Sequence, residues 1–236
     1  MDEVSSLKHN NKLSARSSMS QAITPNSDTI TALLKRNKNN QIYLDLKKTD
    51  NFFKINKKKN ILIFAFTYVL YKNFLLELKK NKKKFNLSNL IIVHAGGWKK
   101  LEQEKVGDEK LKSLCCEIFG IKKKNIIDLY GFTEQGGLLY PDCEHGNKHV
   151  PVWSSLIIRD KFTLKKVDNG KIGLLQFLTP IQTSYPGHSI LTQDLGYINK
   201  VQCKCNRKTP SFKIVGRNDA EVEVRGCGDI MSDEFN

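Results

Sequence analysis

The chain has 236 residues, 39% of them apolar and 27% charged, and a formal net charge of +15. This composition supports a substantial core and excludes a mainly disordered chain, a collagen or a small disulfide scaffold. Only six of the 39 basic residues are Arg and the other 33 are Lys. Specific nucleic-acid recognition favours Arg, whose planar fork matches phosphates and guanine edges, so we expect no specific nucleic-acid partner.

The start of the chain contains no apolar signal segment. The longest apolar run, residues 61–70, is about half of the ~20 residues that span a bilayer, so we expect no transmembrane segment. Six cysteines without a signal segment indicate a reducing compartment and thiol or metal chemistry. The expected location is the cytoplasm.

Helices and strands alternate in the first half of the predicted fold. A helix is predicted at 28–40 with Asp28 as its N-cap. Apolar runs and helical spacing then predict strands at 41–46 and 60–66, a helix at 68–80, a strand at 89–94, a helix at 109–119 capped by Asp108, and a strand at 125–130. This order indicates an α/β sheet with its loops at strand carboxyl ends.

From residue 150 the pattern changes to short apolar segments between Gly, Pro and Asn turns. It predicts strands at 152–159, 172–178 and 212–224. We therefore expect three regions, namely a poorly ordered or remnant segment 1–40, an α/β sheet subdomain 41–150 and a β-rich subdomain 151–236.

A loop with mixed chemistry follows the predicted strand at 125–130. Its aromatic Tyr130 can stack on a base, the hydroxyl of Thr133 can bond a phosphoryl oxygen, and the carboxylate of Glu134 can hold Mg²⁺. The alternative is an ordinary strand-to-helix loop in which Thr133 acts as a cap.

Two later turns carry groups suited to a nucleotide. Asp194, in the turn Thr-Gln-Asp-Leu-Gly, can accept both hydroxyls of a ribose, or it can simply form an Asx turn. Arg217 follows Gly216 in a small turn. Cys227 lies between two glycines and near Arg225, a cation that would lower its thiol pKa; the alternative, which the sequence alone slightly favours, is an inert thiol in a turn.

The order of these motifs resembles that of adenylate-forming enzymes. The wider match resembles the LuxE-like acyl-protein synthetases, the long-chain-fatty-acid–luciferin-component ligases, over roughly residues 60–229. The blocks that carry it are FAFTYVLY (64–71), HAGGWKKL (94–101), DLYGFTEQGG (128–137), CEHGNKHVP (143–151), SYPGHSILTQDLG (184–196) and GR with VEVRGCGD (216–229).

The resemblance implies the α/β large domain of adenylate-forming enzymes, N-terminally shortened, with a β-rich C-terminal subdomain. It implies a ligase that uses ATP and Mg²⁺ to convert a carboxylic acid, expected to be a fatty acid, to an acyl-adenylate. The acyl group then passes to a cysteine as a thioester, which an acyl reductase partner can receive.

The resemblance also assigns roles to individual residues. Adenine would lie against Tyr130 in the Tyr130-Gly131 turn, phosphate would bond Thr133, and Mg²⁺ would bind Glu134. Asp194 and Arg217 would bind the ribose hydroxyls. Gly96 and Gly97 would let the backbone approach the nucleotide closely, and Cys227 would accept the acyl group.

One departure from the family bears on activity. Adenylate-forming enzymes wrap the ATP phosphates with a Gly-rich loop, which by position falls at residues 13–21 here. That stretch has four Ser and no Gly, and all 15 glycines lie at or after Gly96. The alternative function is therefore a catalytically impaired family member that acts as a binding or scaffold protein for an acyl reductase.

Cysteine and histidine spacing predicts a separate metal site. Two short loops supply the preferred ligands of a structural Zn²⁺ site, Cys143, His149, Cys203 and Cys205, with His145 as the substitute for His149. The alternative is that these are unpaired thiols and surface histidines.

Overall fold

The computed structural model describes residues 28–39, 41–97, 106–183 and 185–218. Their contacts divide them into two compact units, whose described parts are residues 28–126 and 127–218. Each unit has its own cluster of buried apolar side chains. The subdomain limits expected from composition, at residues 40 and 150, stay predictions.

The first unit opens with a β-hairpin. Strand β1, Leu34–Arg36, pairs antiparallel with β2, Ile42–Leu44. The helix predicted at 28–40 is therefore wrong over its described part. The reason lies at Asn37, whose side-chain oxygen accepts a hydrogen bond from the backbone N–H of Gln41 at 2.9 Å and so stabilises a turn instead of a helix.

A helix that the sequence did not predict follows this hairpin. Helix α1, Leu46–Ile55, begins at Asp45, whose carboxylate accepts a hydrogen bond from the backbone N–H of Lys48. Only Thr49 and Phe53 are buried in it. Apolar residues are too few for periodicity to reveal this helix, because its charged face dominates the sequence.

Two parallel strands form the centre of the first unit. Strand β3, Ile61–Phe66, pairs with β4, Leu90–Ala95, in a continuous register from Ile61 opposite Leu90 to Phe66 opposite Ala95. Parallel neighbours need a crossover connection. Here a helix connects them, and we call its three successive segments α2: Thr67–Val69, the π-helical Leu70–Leu75, and Leu76–Lys80.

Helix α3, Asp108–Phe119, confirms the predicted helix but not its predicted cap. Its N-cap is Gly107, and Asp108 lies inside the first turn. A carboxylate there is favoured by the helix dipole, and Asp108 also pairs with Lys112 at 2.8 Å. The helix ends at Gly120, whose φ of 69° is the left-handed conformation that glycine adopts without strain. A 3₁₀ turn, Lys123–Asn125, follows.

The second unit is mostly antiparallel sheet. Strand β5, Ile126–Tyr130, leads into it and pairs with β6, Tyr140–Pro141. A five-stranded sheet has the order β7-β11-β10-β9-β8. Its strands in chain order are β7 Lys148–His149, β8 Ser155–Arg159, β9 Gly173–Leu178, β10 Ser189–Ile198 and β11 Ser211–Arg217.

The expected mixed α/β class is confirmed. The observed strands also correct the local turns that the sequence predicted. The strands predicted at 152–159 and 172–178 correspond to β8 and β9. The strand predicted at 212–224 corresponds to β11 as far as Arg217, and its residues 219–224 lie outside the described residues. The sequence indicated a turn at residues 192–196, whereas they lie within the ten-residue β10. The small turn expected at residues 216 and 217 is likewise part of β11. None of the helices in the described ranges is long and apolar enough to cross a bilayer.

Candidate functional site

Strand β10 is irregular where it carries Asp194. Its pairing with β9 shifts between Leu191 and Leu195. Within this bulge, the Thr192 hydroxyl donates to the Leu175 carbonyl at 3.0 Å and accepts from the Asp194 backbone N–H at 3.2 Å. The bulge therefore orients the Asp194 carboxylate, as such irregularities often do beside active sites.

Three of the predicted nucleotide-binding residues meet at this carboxylate. The Tyr130 hydroxyl donates to Asp194 Oδ2 at 2.7 Å. Arg217 lies opposite Asp194 in the β10–β11 register, and its Nε is 3.9 Å from Oδ1. That distance allows an ion pair but is too long for a hydrogen bond. The arrangement gathers an acceptor, a phenol and a guanidinium within one unit.

Tyr130 is held in place by other aromatic rings. Its ring lies 5.7 to 6.1 Å, centroid to centroid, from the rings of Phe132, Tyr140 and Phe177. Burial, reinforced by the adjacent Asp194 carboxylate, raises the pKa of the Tyr130 phenol well above its usual range. The phenol therefore stays protonated and keeps donating to Asp194.

A 3₁₀ turn, Thr133–Gln135, presents Glu134 to solvent. The fully buried Gln135 fixes this turn, because its Nε2 donates a hydrogen bond to the Gly187 carbonyl at 2.9 Å. The Tyr185 hydroxyl donates to the Glu134 backbone carbonyl at 2.7 Å. The backbone of the turn is thus fixed while the Glu134 carboxylate remains exposed.

Glycine allows close packing at two positions around this turn. A Cβ at Gly131 would lie 2.8 Å from Leu139 Cδ2. A Cβ at Gly187 would lie 3.0 Å from the Glu134 carbonyl. Gly131, which the resemblance places in the nucleotide-binding loop, also allows close packing of that loop.

The other predicted residues are found elsewhere in the chain. Gly96 and Gly97 follow β4 in the first unit, and Gly96 has a φ of 79° with its Cβ position 3.3 Å from the Phe66 ring. Cys227 lies outside the described residues. Their assigned roles stay predictions.

The predicted zinc ligands do come together, within the second unit. One ligand atom from each of Cys143, His149, Cys203 and Cys205 lies within 4.8 Å of the others. The Sγ atoms of Cys143 and Cys203 are 3.7 Å apart, and Cys205 Sγ is 3.2 Å from His149 Nε2. His145, the substitute ligand, does not belong to this cluster and is exposed.

The pKa values of two thiols in the cluster are shifted in opposite directions. Burial is the main cause that raises the pKa of Cys143. Desolvation also opposes ionisation of Cys205, but hydrogen bonds from the backbone and side chain of Arg207 outweigh it and lower the Cys205 pKa. Arg207 in turn pairs with Glu144 at 2.7 Å, which links the two loops of the cluster.

Sequence reasoning missed two structural supports of the site. Gln135 lies inside the loop that follows β5, but its burial and the two hydrogen bonds that its Nε2 donates become visible only in three dimensions. No role was predicted for Lys148, yet its side chain is 5% exposed and its Nζ contacts the carboxylates of Asp128 and Asp142, each at 2.9 Å. Its neighbours Asn147 and His149 are polar, so no apolar pattern marked this lysine as buried.

Comparison with known proteins adds family evidence to this geometry. The family model described as "Acyl-protein synthetase, LuxE" matches residues 8–236. A long-chain-fatty-acid–luciferin-component ligase of Aliivibrio fischeri is 29% identical over 196 residues, covering 80% of this chain and 50% of the relative. Its counterpart from Vibrio harveyi is 29% identical over 148 residues, 62% of this chain and 38% of that protein. The chain thus spans half or less of the curated relatives it matches.

Solved structures show a likeness in fold. A 2-hydroxyisobutyryl-CoA ligase in complex with 2-HIB-AMP and CoA matches with a TM-score of 0.56 and 16% identity, over 76% of this chain and 40% of that one. A long-chain-fatty-acid-CoA ligase from Archaeoglobus fulgidus gives a TM-score of 0.50 and 16% identity, over 70% and 35% of the two chains. At these identities the likeness supports the fold class alone.

Proposed function

Because the chain belongs to the LuxE acyl-protein synthetase family, we propose that it activates a carboxylic acid with ATP and passes the acyl group to a thiol. The observation that carries this proposal is the contact of Tyr130 and Arg217 with Asp194, in the same unit as the exposed Glu134 turn. The names of the curated relatives favour a long-chain fatty acid as the substrate.

Asp194 is suited to bind the ribose of ATP. Tyr130 occupies Oδ2 of its carboxylate, and the 3.9 Å gap between Oδ1 and the Arg217 guanidinium exceeds a hydrogen bond. Ribose hydroxyls can donate to Oδ1 and accept from Arg217 in the same place. In this proposal Tyr130 acts mainly as a positioning residue for Asp194, with its ring packed among other aromatics.

Glu134 fits the role of magnesium ligand. Magnesium in phosphoryl-transfer sites usually binds one or two carboxylates together with substrate phosphates, and the Glu134 carboxylate is exposed on a turn whose backbone is fixed. When bound, Mg²⁺ offsets the charge of the phosphates. The adjacent Thr133 hydroxyl would bond a phosphate oxygen.

Both steps of the reaction balance without an additional reactant. A carboxylate oxygen of the acid attacks the α-phosphorus of ATP, the bond to the β-phosphate breaks, and pyrophosphate leaves. A thiolate then attacks the acyl carbon, and AMP leaves with the electron pair. The acceptor we propose is Cys227, by family resemblance; an acyl reductase would be the partner that takes up the thioester.

The test is ATP–pyrophosphate exchange by the full chain, with Mg²⁺ and saturated acids of increasing length plus an aromatic acid. We expect exchange that depends on the acid. We expect Glu134→Gln to lower it by about 100- to 1000-fold, the typical effect of removing one electrostatic contact to the transition state.

The matched control is Asp168→Asn, which removes one negative charge from an 88% exposed side chain of the same unit. It should leave exchange unchanged. Absence of exchange with every acid, from a chain shown to be folded, would overturn the proposal. Equal losses of exchange activity in the two variants would show that Glu134 has no specific role in the reaction.

A further inference from the structure

We propose that the second unit holds a structural Zn²⁺ ion bound by the Sγ atoms of Cys143, Cys203 and Cys205 and by Nε2 of His149. The inference does not depend on the adenylating activity. It rests on the distances between these four atoms, on the hydrogen bonds that orient them, and on their place in the sheet.

The separations match tetrahedral zinc. With Zn–S near 2.3 Å and Zn–N near 2.0–2.1 Å, tetrahedral ligands lie about 3.8 Å apart for two sulfurs and about 3.6 Å apart for sulfur and nitrogen. The observed values are 3.7 Å between Cys143 and Cys203 and 3.2 Å between Cys205 and His149. All four atoms lie within 4.8 Å of one another, so small side-chain adjustments complete the tetrahedron.

The imidazole of His149 already has the orientation a metal ligand needs. Its Nδ1 lies 3.2 Å from the Thr209 carbonyl, an oxygen that can only accept. Nδ1 must therefore carry the proton, which leaves the Nε2 lone pair directed toward Cys205. Ligating histidines are commonly fixed by this kind of outer hydrogen bond.

The sulfur atoms are also supported. The Asn147 amide donates to Cys203 Sγ at 3.2 Å. Three thiolates around a divalent ion leave a net charge of about −1, and the Arg207 guanidinium interacts with Cys205 while pairing with Glu144. Donors and a cation directed at sulfur stabilise thiolates, and zinc-bound thiols are deprotonated outright.

The position of the cluster indicates a structural role. Four protein ligands fill a tetrahedral zinc site and leave no position for substrate. Cys143 and His149 belong to the β6–β7 region, whereas Cys203 and Cys205 belong to the β10–β11 loop. The ion would join these loops and hold the end of the sheet where Ile198 pairs with Phe212. Asp194 and Arg217 pair at the other end of the same two strands.

Metal analysis of the purified, reduced full chain is the first test. We expect about one zinc ion per chain. His149→Gln should lose it, whereas His145→Gln, on the same loop, should keep it. Likewise Cys205→Ser should lose the metal, whereas Cys116→Ser, in α3, should retain it. Loss from His145→Gln with retention in His149→Gln would contradict the ligand set.

Cobalt substitution in the unmodified chain makes the test independent of how the variants fold. After removal of zinc with a chelator, titrated Co²⁺ should give intense tetrahedral d–d bands and thiolate charge-transfer absorption, saturating at one ion per chain. A chain that binds neither metal stoichiometrically overturns the proposal. So does a disulfide between Cys143 and Cys203, detected by mass spectrometry in protein purified without reductant.

Discussion

Asp45 shows how one side chain joins two elements of the first unit. One carboxylate oxygen caps α1, and the other pairs with Lys35 of β1 at 2.6 Å. The hydrogen bond from Lys35, followed by that from the Lys48 backbone, lowers the pKa of Asp45 below its ordinary value of 3.8. The ionised form is thus favoured in the folded state.

The sign of the pH dependence follows from this lowered pKa. Stability from the Asp45 charge is fully present above the pKa of the unfolded chain and is lost as pH falls through the lower, folded value. Asp45→Asn keeps a capping oxygen but has no charge. We expect its urea midpoint to lie below that of the unmodified chain near neutral pH, and the difference to shrink below about pH 4. A constant difference from neutral to acid pH would contradict this account.

Among the strands, the irregular β10 determines where the Asp194 carboxylate of the candidate site lies. Its pairing with β11 shifts between Leu195 and Gly196. A Cβ at Gly196 would lie 2.3 Å from the Lys213 carbonyl and 3.0 Å from Leu175 Cδ2. The close approach of β11 thus depends on glycine at this position, two residues from Asp194.

We predict that Gly196→Ala destabilises the protein by about 1–3 kcal/mol, the usual cost of overpacking. It should also weaken binding of an acyl-adenylate analogue, because the backbone shift displaces Asp194. Gly216→Ala is the matched control on the neighbouring strand, since no atom lies within 4 Å of its added Cβ. Chemical denaturation and calorimetric titration measure both effects. Equal stability and equal analogue binding in the two variants would show that the close approach of β11 to Gly196 has no energetic consequence.

Some helices and strands were predictable from the sequence and others were not. Periodicity found β3, β4 and α3, since their apolar faces pack into one core. It missed α1, whose buried face consists of only Thr49 and Phe53. It read the centre of β10 as a turn because Thr, Asp and Gly are common in turns. There the pairing with strands on both sides outweighs local preference.

At the scale of the whole molecule, the two units should respond differently to metal removal. All four proposed zinc ligands lie in the second unit. The first unit has its own core, which includes Phe119 of α3, and contains none of them. Loss of the metal should therefore raise local opening only where the ion connects loops.

Hydrogen-exchange mass spectrometry after chelation measures this difference. Peptides covering 143–149 and 198–211 should exchange faster, whereas peptides of α3 should be unchanged. Added Zn²⁺ should restore the original protection. Equal loss of protection in α3 would show that the metal stabilises the chain as a whole instead of one unit.

Residue types in a fixed order were enough to predict the mixed α/β class, the family and the preferred Cys and His side chains of the candidate metal cluster. Cysteine and histidine have few chemical uses, so their spacing carries information without coordinates. The sequence also named Tyr130, Asp194 and Arg217, but not the contacts between them.

The arrangement of those residues becomes visible only in three dimensions. The tertiary structure brought Tyr130 to Asp194 across 64 positions of sequence, chose His149 over His145 for the metal cluster, and placed Lys148 between two carboxylates. The physical reason is common to all three. Which distant groups meet depends on strand register and on the bulge in β10, and these are set by packing over the whole sheet instead of by neighbours in sequence.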